Sequence, residues 1–87
     1  MNNVDVSDSF PLTFATRGQT VALTEIRAGG KLRQRLGDLG LNIGMHVRVV
    51  QDDHCGPVIL AVKNDARLAI GRGMAQKIMV RHFERDV

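Results

Sequence analysis

A chain of 87 residues holds one small domain, since at this length only about 60 to 65% of the unfolded surface is buried and the core cannot divide. Apolar content of 44% and charged content of 24% exclude the signature of disorder, and the single cysteine, Cys55, excludes both an internal disulfide and a Cys-x-x-Cys zinc site. Twelve basic against nine acidic residues give a formal +3, a field that favours an acidic protein surface, an anionic membrane or a nucleic-acid backbone without choosing among them.

Residues 1–10 are polar, lack any periodicity, and carry only Asp5 and Asp8 as charges, so they are expected to form a flexible tail ahead of a domain over 11–87. The start MNNVDVSDSF lacks the basic then apolar layout of a secretory signal, and no run approaches the roughly 20 apolar residues that cross a bilayer. The expectation is a cytoplasmic protein.

From Pro11 a short apolar piece places Leu12 and Phe14 at the core edge, and VALTEI at 21–26 reads as a strand. In KLRQRLGDLG at 31–40, Leu32, Leu36 and Leu39 fall at i, i+4 and i+7, which predicts a helix burying all three and showing Lys31, Arg33, Gln34, Arg35 and Asp38 to solvent. The helix is expected to stop at Gly40, which reaches the left-handed conformation cheaply, with Leu41 folding back toward Leu36. After a turn at Asn42, Ile43 and Gly44 the period becomes two, with Met45, Val47 and Val49 opposite His46 and Arg48. DDHCGP at 52–57 is turn chemistry, and Val58, Leu60 and Val62 alternate against Ile59 and Ala61. Asn64-Asp65 makes a two-residue turn into a strand at 66–70, GRGMAQ at 71–76 is a turn or single helical turn, and KIMVRHF ends the domain as a strand. Five short strands and one inserted helix bury their apolar faces best by rolling up, which also removes free edges: a mainly β fold, a small SH3-like barrel.

Reactive chemistry is not legible in these residues. Gly29-Gly30-Lys31 ends like a phosphate-binding loop, but Glu25 stands where its first glycine is required and Leu32 where Ser or Thr is required. Gly71-Arg72-Gly73 lacks the third glycine of a dinucleotide fingerprint, at Gln76. Ser7 and Ser9 lie in the tail, Glu25 and Glu84 are the only glutamates, and only His54 adjoins Cys55, so no nucleophile or acid/base pair is assembled and neither an enzyme nor a cofactor is expected. Asp52, His54 and Cys55 are weak candidates for a transition metal, with His46 and His82 the only other imidazoles. An RNA-binding barrel is an alternative, tracking phosphates with Lys31, Arg33, Arg35 and Arg48. The chain has no Trp or Tyr and only Phe10, Phe14 and Phe83 as stacking platforms, so nucleic acid is not the expected partner.

The string G-G-x-L-R-Q-R-L-G-D-L-G-L-N-I-G-M-x-V-x-V-V from Gly29, then G-P-V-I-L-A-V, then A-R-L-A-I-G-R-G-M-A-Q-K-I-M-V ending at Val80, resembles the ferrous iron transport protein A family, FeoA. Its most specific parts are Arg35-Leu36-x-x-Leu39-Gly40-Leu41-x-x-Gly44 and Leu68-Ala69-Ile70-Gly71-Arg72-x-x-Ala75-x-x-Ile78-x-Val80. The resemblance implies an SH3-like barrel and a small cytosolic, non-enzymatic accessory of FeoB, the membrane ferrous iron transporter with a cytoplasmic GTPase domain, so that the chain is peripheral to the membrane through its partner. Metal-dependent repressors of the diphtheria toxin repressor type end in similar barrels but carry a winged helix and metal ligands upstream, for which 87 residues leave no room. On this reading the partner-binding face consists of the cations Lys31, Arg33, Arg35, Arg48 and Arg72, with an apolar anchor from Leu12, Met45 or Met79.

Overall fold

The computed structural model describes residues 9–52, 56–63 and 66–83. In chain order they form strand β1 (Phe10–Pro11), a 3-10 turn (Leu12–Phe14), β2 (Thr20–Ile26), helix α1 (Gly30–Asp38), β3 (His46–Asp52), β4 (Val58–Ala61), β5 (Arg67–Ile70), the single helical turn α2 (Arg72–Ala75) and β6 (Ile78–His82). All ladders are antiparallel, and the six strands lie in the order β1-β6-β2-β3-β4-β5.

The sheet coils because two of its strands carry bulges, and an extra residue in one strand of a pair bends that strand and increases its twist. In β2 the register against β6 shifts between Leu23 and Glu25, so Thr24 is the extra residue. Val21 and Leu23 face the core before it and Ile26 after it, which keeps the apolar side continuous across a change of phase. In β3 the register against β4 shifts between Val49 and Gln51. The inner face closes on one core in which Leu12, Val21, Leu23, Leu36, Leu41, Val47, Val49, Val58, Leu60, Ile70, Ile78 and Val80 have almost no exposed surface. This is the mainly β, SH3-like barrel expected from the sequence.

Four details differ from that expectation. Phe10 belongs to the barrel, not the tail: it pairs with Val80 in β6, and Ser9 before it shares a hydroxyl–hydroxyl hydrogen bond of 2.9 Å with Thr24. The strands therefore number six. The barrel is not closed by hydrogen bonds, since among the described residues no ladder joins the edge strands β1 and β5; instead α2, which follows β5, packs on the 3-10 turn that follows β1. In the β4–β5 hairpin, Ala61 pairs with Arg67 and the Val62 N–H donates to the Ala66 carbonyl, leaving three residues between the paired ends rather than two. Finally, Leu12 lies fully in the core, whereas Phe14, two residues on, is 72% exposed.

Helix α1 ends as its glycine requires. Gly40 has φ +98°, the Gly40 N–H donates to the Gly37 carbonyl, and the Leu41 N–H reaches back to the Leu36 carbonyl, the paired bonds of a Schellman stop. Leu36 is buried and Leu32 partly so, but Leu39 is 47% exposed, against the expectation of a three-leucine seam. Leu39 is the cap residue (φ −83°, ψ −2°) after which the chain reverses, so Leu41 enters the core in its place.

Candidate partner-binding surface

Helix α1 sits between β2 and β3 in the chain and offers Lys31, Arg33 and Arg35, all exposed. They do not form one face. At 3.6 residues per turn, Lys31 and Arg35 stack one turn apart on one flank of the buried Leu32–Leu36 seam, while Arg33 lies about 160° around the axis from Arg35, on the other flank. Arg48 is exposed on β3, beside the buried Val47 and Val49. Arg72 is half-buried and donates from Nε to the Gly56 carbonyl at 3.2 Å, which ties α2 to the segment ahead of β4. Its guanidinium therefore has a structural task.

The expected apolar anchors are corrected by burial. Leu12 is in the core and Met79 is almost fully buried in β6, a strand lying inside the sheet between β1 and β2. Neither is available to a partner. Met45 is half-buried against the core, its sulfur 3.2 Å from the Asn42 N–H. Among the described residues, the large apolar side chains that do reach solvent are Phe14, Leu39 and Ile43, and periodicity missed all three. For Ile43 the available signal was the G-L-N-I-G turn at 40–44, whose two apolar residues, Leu41 and Ile43, cannot both enter the core from so short a reversal; for Leu39 it was the position next to Gly40, where the helix stops.

Phe10 lies against the His82 ring with centroids 4.9 Å apart, and Phe83 against His46 at 3.9 Å. His82 Nδ1 also lies 2.9 Å from Gln19 Nε2. The only two imidazoles besides His54 are thus packed against phenyl rings. Among the described residues no three His, Cys, Asp or Glu side chains gather as a metal cage. The candidates His54 and Cys55, and the side chain of Asp52, lie outside what the structure describes. No helix among the described residues is long and apolar enough to cross a membrane.

Residues 10–82 match the model of the FeoA domain. A protein named "Putative Fe(2+) transport protein A" from Methanocaldococcus jannaschii is 44% identical over 75 residues, which cover 86% of this chain and 89% of that protein. The chain belongs to the FeoA domain family. Among solved structures, the crystal structure of an iron uptake regulatory protein, FeoA, superposes with a TM-score of 0.79 at 33% identity, covering 86% of this chain and 99% of its own. A manganese-dependent transcriptional repressor superposes equally well, TM-score 0.79, but at 21% identity and over only 37% of its length; that likeness is one of fold. The FeoA match begins at Phe10, where β1 begins, and ends at His82, where β6 ends.

Proposed function

We propose that this FeoA-family chain is a non-enzymatic accessory protein of ferrous iron uptake, located in the cytoplasm and acting by binding the cytoplasmic GTPase region of a FeoB-type membrane transporter. The observation that carries this reading is the family match over residues 10–82, which spans the whole barrel from β1 to β6. The relatives' names, Fe(2+) transport protein A and iron uptake regulatory protein, support the link to iron. A net charge of +3, twelve Lys and Arg against nine Asp and Glu, with Lys31, Arg33, Arg35 and Arg48 exposed, favours an acidic partner. A rigid barrel that binds one state of a nucleotide-driven transporter better than another shifts that equilibrium by its difference in affinity, and nucleotide must shift the barrel's affinity by the same factor.

The test is a titration of the purified chain into the full-length transporter in detergent, with GTP analogue, with GDP and without nucleotide. A saturable complex whose affinity depends on nucleotide is expected. No complex at high micromolar concentration in any of the three states overturns the proposal.

A further inference from the structure

Lys31, Arg35 and Leu39 are spaced i, i+4 and i+8, and the Leu39 N–H still donates to the Arg35 carbonyl at 3.1 Å, so the three positions continue one stripe down α1 to its cap residue. All three are exposed, and although the exposed Asp38 lies on the same flank, at i+3 from Arg35, among the described residues neither cation forms an ion pair, so the stripe keeps a net positive charge. Beyond Leu39 the chain turns through Gly40, sends Leu41 into the core and exposes Ile43, 53% of whose surface is open. This turn is held at both ends: Leu41 N–H to the Leu36 carbonyl, Gly44 N–H to the Leu23 carbonyl at 2.8 Å, and Leu23 N–H to the Met45 carbonyl.

One exposed leucine on a small protein carries no information. Two aliphatic side chains on a turn pinned to β2 and α1, at the end of a cationic stripe, are a different case. Such a surface is pre-organised, and a partner spends no ordering entropy on it. We infer that the stripe Lys31–Arg35–Leu39 and its continuation at Ile43 form the docking surface for an acidic protein partner, one presenting an apolar pocket bordered by carboxylates. This rests on the reading above, in which the partner is the cytoplasmic side of the transporter. Charge selects the occupant. A second copy of this chain docked through the same face would set Lys31 and Arg35 against their own kind. Leu39 and Ile43 have no π-face on which a base could stack, which disfavours single-stranded nucleic acid. In the proposed complex the aliphatic pair sets the lifetime and the cations set the rate of encounter.

The experiment compares four forms of the full chain binding to the full-length transporter: wild type, Leu39→Ser with Ile43→Ser, Lys31→Glu with Arg35→Glu, and a control with Lys63→Glu and Arg67→Glu on the β4–β5 hairpin. Circular dichroism and thermal unfolding verify that each folds, as expected for exposed positions. The serine pair is expected to weaken binding at least about tenfold through faster dissociation. The glutamate pair on α1 is expected to slow association and flatten its salt dependence, while the control leaves both within about twofold. If wild type binds and the serine pair binds equally well, the docking surface is wrong while the function stands. If wild type does not bind, the function reading itself fails. Sedimentation that reveals a wild-type dimer abolished by the serine pair overturns the acidic partner in favour of a second copy, and loss of affinity for anionic vesicles in place of the transporter overturns it in favour of a membrane.

Discussion

The Leu41 N–H donates to the Leu36 carbonyl across 2.9 Å, with Gly40 between them at φ +98°. This one hydrogen bond ends α1, delivers Leu41 to the core and leaves Leu39 outside it. Its backbone demand separates two glycines three residues apart. A Cβ at Gly40 meets nothing within 4 Å, so Gly40→Ala suffers only the strain of a left-handed alanine, about 1 to 2 kcal/mol. At Gly37, inside the helix, a Cβ would rest 3.8 Å from Asn42 Oδ1, an ordinary contact, and alanine is expected to stabilise by about 0.5 to 1 kcal/mol. Thermal unfolding should therefore move in opposite directions for the two variants, by several degrees each in a domain this size. Equal effects would show that the stop does not depend on Gly40.

Leu36 and Leu39 make a second pair of opposites. Leu36 is fully buried, and Leu36→Ala should cost about 2 to 5 kcal/mol, a large share of what a chain of this length has. Leu39→Ala should lie within about 0.5 kcal/mol of wild type in urea unfolding. A large loss at Leu39 would mean that it packs inside after all.

The Ser9 and Thr24 hydroxyls, 2.9 Å apart and partly buried, fasten the start of β1 to the bulge in β2. A double-mutant cycle of Ser9→Ala and Thr24→Val should give a coupling of about 0.5 to 1.5 kcal/mol. Additive effects would remove the hydroxyl bond from the account of how β1 is held.

Arg27 Nε and Glu25 Oε1 are 3.4 Å apart, with both side chains largely in water. Solvent and salt leave such pairs little net value, so Glu25→Gln should change stability by less than about 0.5 kcal/mol in urea unfolding at any ionic strength. Arg72 differs. Half-buried and bonded to the Gly56 carbonyl, it should cost about 1 to 2 kcal/mol when replaced by alanine. A stability loss at Glu25 exceeding that at Arg72 would reverse this ordering.

What the sequence made legible is what local rules decide. Val47 and Val49 against His46 and Arg48 have a period of two, and Gly40 with Leu41 writes out a helix stop; both are as read. The run VALTEI concealed its bulge, because apolar residues at 21, 22, 23 and 26 show no clean alternation from which a phase change could be noticed. Met79 alternates with Ile78 and Val80 as an outward residue should, yet is buried, since β6 lies between two other strands and sets Met79 opposite Pro11 and Glu25. Leu12 and Phe14 looked equivalent in PLTFAT; which of the two enters the core depends on where α2 packs, a contact more than fifty residues distant in the chain. The cationic face was misread for a simpler reason: three basic residues within five positions look like a patch until the 3.6-residue turn is applied to them.

The position of β6 has a consequence for how the molecule comes into being. Its neighbours in the sheet are β1 and β2, both synthesised well before it, so the last of the described strands slots between the first two. Until residues 78–82 leave the ribosome, Phe10 and Pro11 lack their ladder and Val21 and Leu23 lack the neighbours that seal them from water. The nascent polypeptide must remain unfinished until then, and the slow closure of such distant segments makes this the interval in which it is most open to proteases and aggregation.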